Sequence, residues 1–176
     1  MALVVLLRGV NVGGHRTFQP TKLAAQLKQF GAVNIGAAGT FVFHRPPSRK
    51  ILEEEIGRRL PVDAEIVICN GRDILNLISR DVFMGYPQRP DTVRFLSVLT
   101  KNPRTLPDLP MTFPAKGRWL MKALARDRRF VFGVYRRDMK VIGYLGEMDK
   151  VFGVPVTTRN WNTVTAIAKA LGHSES

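Results

Sequence analysis

Ala2-Leu3-Val4-Val5-Leu6-Leu7-Arg8-Gly9-Val10-Asn11-Val12-Gly13-Gly14 decides how the chain is read. Residues 2–7 are apolar, β-branched in the middle, and cut off by an arginine and a glycine-rich turn. A short apolar run bounded by turn residues is a buried strand. The turn leads into a helix. A strand, a glycine loop and a helix start together present backbone N–H groups to an anion. Arg8 and Asn11 add side-chain donors at the same place, and Gly13 and Gly14 keep the backbone open. The same stretch also reads as a tight turn that needs glycine for its geometry. It is not a Walker loop, because no Gly-Lys-Ser/Thr follows. Nor is it the dinucleotide fingerprint, which wants an acidic residue about twenty positions on.

Outward from this stretch, Thr17 or Thr21 is placed to cap a helix with Pro20 in its first turn. Leu23, Leu27 and Phe30 share its buried face, and Gly31 stops it. Residues 33–37 and 40–44 read as a hairpin around Ala38-Gly39. Ser48 caps a second helix with Leu52, Ile56 and Leu60 inward. Residues 64–69 form a fourth strand. Asn70-Gly71-Arg72-Asp73 then caps a third helix, with Ile74, Leu77 and Ile78 on its apolar face. The order β-α-β-β-α-β is the split βαβ, or ferredoxin-like, pattern.

Residues 86–90, with two prolines, read as a linker. The second half predicts a strand at 92–99, then a proline-rich loop at 103–114 where the first half has its first helix. A hairpin of 118–125 and 129–135 follows, then a helix over 139–152 weakened by Gly143 and Gly146. Residues 155–159 are extended and a final helix carries Val164, Ile167, Ala168 and Leu171 on one face. Phe41-Val42-Phe43 and Phe130-Val131-Phe132 occupy the third strand of each half. The fold class predicted is α+β: two ferredoxin-like (βαββαβ) units in tandem, with antiparallel-rich sheets and helices on one face. Residues 1–85 make the first unit, 86–90 the linker and 91–176 a degenerate second unit.

The composition of the 176-residue chain is that of a globular protein, 45% apolar and 23% charged. The net charge of +13 is high, and arginine outnumbers lysine. Such a balance favours nucleic acid, phosphorylated ligands or anionic surfaces; it also serves solubility. Cys69 sits in an apolar run and predicts a buried thiol in a reducing compartment. No run reaches the length of a membrane span, so a cytoplasmic protein with no membrane partner is expected.

Four candidate sites emerge. The first is the Arg8–Gly14 loop. The second is Thr157-Thr158-Arg159-Asn160-Trp161-Asn162-Thr163, extended backbone turning into a helix. The free N–H groups of a first turn attract anions, and Arg159, Asn160 and Asn162 lie beside them. It reads equally as a capped helix with a core tryptophan. The third is the aromatic strand pair. Aromatics on an open sheet of this topology stack bases in RNA-recognition modules, whereas alternating aromatics in half-buried strands pack the core. The fourth is a basic hairpin, Arg118, Lys122, Arg126, Arg128, Arg129, Arg136 and Arg137, suited to tracking phosphates. Catalytic constellations are poor. His15, His44 and His173 show no metal-ligand spacing with each other or with Cys69, so no metal and no cofactor is predicted. Glu53-Glu54-Glu55 reads as a solvated helix face.

Taken together, the 6–14 motif and Thr157-Thr158-Arg159-Asn160-Trp161-Asn162-Thr163-Val164 resemble the bacterial domain-of-unknown-function 1697 family. The resemblance covers nearly the whole chain and implies a pair of related α+β units. It implies no chemistry, since the family's activity is unassigned. Ala38-Gly39-Thr40 stands where the family usually reads Ser-Gly-Asn, and His15 and Arg16 where it often has Lys or Asn.

The function read from these residues is a non-enzymatic binder of an anionic partner, with nucleic acid first and a phosphorylated ligand second. In that reading the 8–14 loop meets Arg159, Asn160 and Asn162 in one cleft. Whether the protein is an enzyme stays open. The alternatives are an enzyme on a phosphorylated small molecule, with His15 as acid or base, and a structural module whose polar motifs join the halves. The oligomeric state is left open by the sequence.

Overall fold

The 2–7 run forms β1 (Leu3–Arg8), the strand on which the first sheet is centred. A computed structural model of the protein describes residues 1–10 and 18–172. It is an α+β fold with two antiparallel sheets and five α-helices among the described residues. After β1 come α1 (Pro20–Gln26), β2 (Ala32–Ile35), β3 (Thr40–Phe43), α2 (Arg49–Arg59), β4 (Glu65–Asn70) and α3 (Gly71–Ile78). The strands lie in the order β2-β3-β1-β4. Val5 pairs with Phe41 on one side and with Ile68 on the other.

Pleat alternation sends Leu3, Val5 and Leu7 to one face of this sheet, with Phe41, Phe43 and Ile68. Leu23 and Leu27 of the α1 segment and Leu52 and Ile56 of α2 pack on them. The opposite face carries Val4, Leu6, Val42, Val67 and Cys69, and these are buried as well. The β2–β3 turn is fastened to β1 by the Leu7 N–H, which donates to the Gly39 carbonyl at 2.8 Å. Gly39 has φ +87°, and a Cβ there would lie 2.9 Å from that of Leu7. Only glycine satisfies both demands.

Two caps differ from the sequence reading. Gln19, not Thr17 or Thr21, precedes α1 and makes no side-chain cap; Pro20 at the first helical position sets the start. Thr17 lies outside the described residues. Asn70 precedes α3 without capping it, because its Oδ1 accepts from Arg49 Nη2 at 2.5 Å. Arg49 Nη1 also donates to the Ile68 carbonyl at 3.0 Å, so α2 is clasped to β4. Ser48 does cap α2, accepting from the Ile51 N–H at 3.3 Å.

The second sheet is built from β5 (Thr92–Leu99), β6 (Met111–Phe113), β7 (Met121–Asp127), β8 (Phe130–Arg136) and β9 (Val156–Asn160), in the order β6-β7-β8-β5-β9. A short strand, β6, thus occupies part of the proline-rich stretch. Between β8 and β9 runs α4 (Val141–Phe152), whose Val141, Met148 and Phe152 cover Phe95, Leu99, Met121, Ala123, Val131 and Val156. The turn from α4 into β9 is pinned by the Val156 N–H donating to Asp149 Oδ1 at 2.9 Å.

By compactness the chain divides into residues 1–80 with 163–176, and residues 81–162. This division differs from the expected 1–85 and 91–176. The last helix, α5 (Trp161–Gly172), starts directly after β9, and its buried face groups with the first unit. A Cβ on Gly71 would come within 2.7 Å of Leu171 Cδ2, which shows how closely that helix end approaches α3. No helix among the described residues is long and apolar enough to cross a membrane.

Candidate functional site

Of the first candidate, Arg8 and Gly9 are described; Asn11, Gly13, Gly14 and His15 lie outside the described residues. Arg8 ends β1 half-buried, directly opposite Glu65 in the antiparallel register. A shallow depression of about 350 Å³ is lined by Arg8, Gly9, Asp63, Ala64 and Glu65. Its two exposed carboxylates oppose an anion at this end of the strand.

In the second unit, Arg159 and Asn160 end β9, and Asn162 lies in the first turn of α5. Asn160 and Asn162 are exposed. Arg159 is not: desolvation by burial pulls its pKa down to about 10, which still leaves it charged at neutral pH. Its Nη1 donates to the Thr158 carbonyl at 3.0 Å. Trp161 meets Phe83 edge to face, with ring centres 4.8 Å apart. The aromatic strand pair is covered. Phe41 and Phe43 are fully buried, and Phe130 and Phe132 are 4% and 3% exposed. Neither strand offers an open aromatic face to a base.

The seven basic residues of the hairpin do not form one patch. Arg126, Arg128 and Arg129 sit at the β7–β8 tip, and Arg118, Lys122, Arg136 and Arg137 at its base. Four residues of strand, about 13 Å, separate Lys122 from Arg126, and seven, about 23 Å, separate Arg129 from Arg136. A β-bulge between Ala123 and Ala125 separates them further. It sets Lys122 opposite Val134, but Arg126 opposite Val131 on the α4 side of the sheet. Four residues apart in sequence, the two cations leave by opposite faces.

At the tip, Arg126 Nη1 donates to the Arg128 carbonyl at 2.8 Å, and Arg129 Nε to the Leu99 carbonyl at 2.8 Å. Arg128 has φ +53°. At the base, cations and aromatics alternate. Lys122 Nζ lies 4.5 Å from the Trp119 ring centre, and the Arg136 guanidinium 4.0 Å from the same ring. Arg136 Nε donates to the Trp119 carbonyl at 2.8 Å, and its Nη1 meets Asp91 at 3.2 Å. Arg137 Nε donates to the Pro90 carbonyl at 3.2 Å.

The register also brings in a residue absent from the sequence reading. Lys122 pairs with Val134, and Val134 with Arg94 on β5, so the two cations share one cross-strand row. Arg136 is opposite Thr92 and Arg159 opposite Leu96, on the same face. The face away from α4 therefore carries Lys122, Arg94 and Arg136 at one end, with Arg159 further along, opposite the middle of β5. The available signal was the arginine interrupting the Val93-Arg94-Phe95-Leu96 run, where a charge in a buried strand needs a reason. Among the described residues, no group of three or more His, Cys, Asp or Glu could hold a metal ion.

The fold and this site describe an α+β protein of two compact units with a cation-rich sheet end in the second. The domain-of-unknown-function 1697 family, proteins of unknown function, matches residues 1–108. The chain belongs to that family. Its fold is similar to the solved structure of the conserved bacterial protein SP0830 from Streptococcus pneumoniae. That likeness has a TM-score of 0.60 at 16% identity, over 97% of this chain and 98% of the other. No curated protein matches the chain.

Proposed function

We propose that the protein is a binder of nucleic acid, contacting phosphates through the two ends of the β7–β8 hairpin. The observation that carries this reading is Arg128. It is the one non-glycine residue with positive φ among the described residues, in a two-residue turn where glycine or asparagine is the cheaper choice. A long cation retained in a strained backbone position is a reason to look for function there. Arg128 at the tip and Arg118, Lys122, Arg136 and Arg137 at the base are the contacts in this reading; Arg126 leaves by the face opposite Lys122 and is not among them. The Arg8–Gly14 loop and the Asn160–Asn162 helix start remain further contact points in this proposal. Asp63 and Glu65 beside Arg8 make the hairpin the stronger of the two regions.

The test is fluorescence anisotropy of labelled single-stranded and duplex DNA and RNA across a salt series. Contacts at both hairpin ends give a log–log slope of about −3 or steeper, since each phosphate contributes about 0.7 to 0.9. No binding at low salt removes nucleic acid as the partner.

We also infer that the two units share a ferredoxin-like plan. The strand order β2-β3-β1-β4 recurs as β7-β8-β5-β9, with β6 added at the edge and the first helix replaced by the proline-rich stretch.

A further inference from the structure

Lys122 stands out within the base cluster. Its ammonium lies 4.5 Å from the ring centre of Trp119 and 6.0 Å from that of Tyr86. The side chain is half-buried, and no carboxylate of the described residues lies within ion-pair distance of it. Arg136 shares the Trp119 ring and is fixed by the Trp119 carbonyl. Arg94 reaches Tyr86 from the other side of Val134, stacked 4.8 Å over Phe83 and donating to the Tyr86 carbonyl at 2.6 Å. Its Nε is buried with no hydrogen-bond partner. Asp91 is the acid paired with this cluster, and it is shared: one oxygen meets Arg136 at 3.2 Å and the other Arg89 at 3.3 Å. With Arg89 counted, four cations stand against this one carboxylate, so an excess of at least two positive charges remains.

We propose that Lys122, Arg136 and Arg94 form a binding site for a phosphomonoester dianion, a reading that rests on the anionic-partner function above. Half-buried cations without a counter-charge are costly, and an anion supplied from outside relieves that cost. A phosphomonoester brings about −1.5 to −2 charges at neutral pH and three acceptor oxygens, which matches the excess. An internal phosphodiester brings one charge and leaves at least one more uncompensated. The Arg94 and Arg136 guanidiniums are held in place by carbonyls and rings, so little ordering remains to be done on binding. Cations already lie over the Trp119 and Tyr86 rings, so recognition falls on the phosphate rather than on a stacked base. The same chemistry comes from the 5′-terminal phosphate of a strand or from a free mononucleotide.

The experiment compares one short single-stranded oligonucleotide with a 5′-phosphate and with a 5′-hydroxyl, and titrates adenosine monophosphate alone. Each arm uses the full-length wild type, Lys122→Met and Lys122→Arg. The 5′-phosphate strengthens wild-type binding about tenfold. Lys122→Met abolishes the difference and Lys122→Arg restores it. Equal affinity for both oligonucleotides, with no adenosine monophosphate binding, overturns the site and leaves the nucleic-acid reading standing. Adenosine monophosphate binding that Lys122→Met removes, with no oligonucleotide binding, keeps the site and overturns the nucleic-acid reading. A phosphate preference that survives in Lys122→Met overturns the assignment to this cluster.

Discussion

The Phe95 ring lies directly over Gly133, its register partner across β5 and β8. A Cβ added at 133 would collide with Phe95 Cζ and the Lys122 carbonyl, and sit 2.5 Å from Phe95 Cε1. Phe95 is fully buried against Tyr135, with ring centres 5.7 Å apart, so it has nowhere to retreat. Gly133→Ala is therefore an overpacking change, expected to cost about 1–3 kcal/mol or more. Urea unfolding at neutral pH measures it. A midpoint equal to wild type would mean that β7 and Phe95 yield freely, contrary to this packing. Because β7 would have to shift at Lys122, phosphate affinity is also expected to fall in this variant.

From Thr163 onward the C-terminal helix groups with the first unit. Ile167 is 2% exposed and lies in the 163–176 segment that groups with residues 1–80. Ile167→Ala removes buried methylenes and is expected to cost about 2–5 kcal/mol. Native-state hydrogen exchange locates the effect: amides of β4 and α3 lose protection more than those of β5 and β8. Loss confined to β5 and β8 would contradict the assignment of this helix.

Glu55 gives a signed dependence on pH. Its carboxylate is hydrogen-bonded by Arg59 and by Arg58, the latter at 2.8 Å. The Arg59 hydrogen bond is the main cause holding its pKa below the ordinary 4.5. A carboxyl whose folded pKa is depressed contributes stability that is complete above its unfolded value and lost as pH falls through the folded one. Glu55→Gln removes this contribution. Its urea midpoint should fall less than that of wild type between pH 5 and pH 3, windows set by about one to two pH units around that value. Parallel curves would show that the Arg59 contact is no stronger in the native state than in the unfolded chain.

Periodicity carried most of the fold to the reader of the sequence, because β1, α2, β5 and α4 bury faces that repeat at two or 3.6 residues. Face assignment was harder. Phe41-Val42-Phe43 and Phe130-Val131-Phe132 look equivalent, but Phe41 and Phe43 face α1 and α2, whereas Val131 faces α4. With both sheet faces buried, either phase of an apolar strand is acceptable, so the tripeptide does not report which side it presents. The basic hairpin misled for a related reason. Its bulge lies among Ala123, Leu124 and Ala125, residues that carry no turn signal, and it sends Lys122 and Arg126 to opposite faces. Arg94 joined Lys122 through strand pairing across 28 positions of chain, and Tyr86 through a ring contact across 36, which no local pattern encodes.

Arg128 separates stability from binding at the hairpin tip. Its φ of +53° lies in the left-handed region, where a side chain costs roughly 1–2 kcal/mol. Glycine relieves the strain but gives back part of the gain through a freer unfolded chain. Arg128→Gly is thus expected to raise stability by about 1 kcal/mol in urea unfolding. The substitution also removes one exposed cation, already offset in part by Asp127 at 3.6 Å. If the tip touches phosphate, the salt slope becomes shallower by up to about 0.9, and affinity drops by the same factor for every sequence tried. A more stable protein with weaker, less salt-sensitive binding would show that the strain at residue 128 is retained for contact with the partner. A more stable protein that binds as wild type would move the contact to the base of the hairpin alone, where Lys122 and Arg136 flank Trp119.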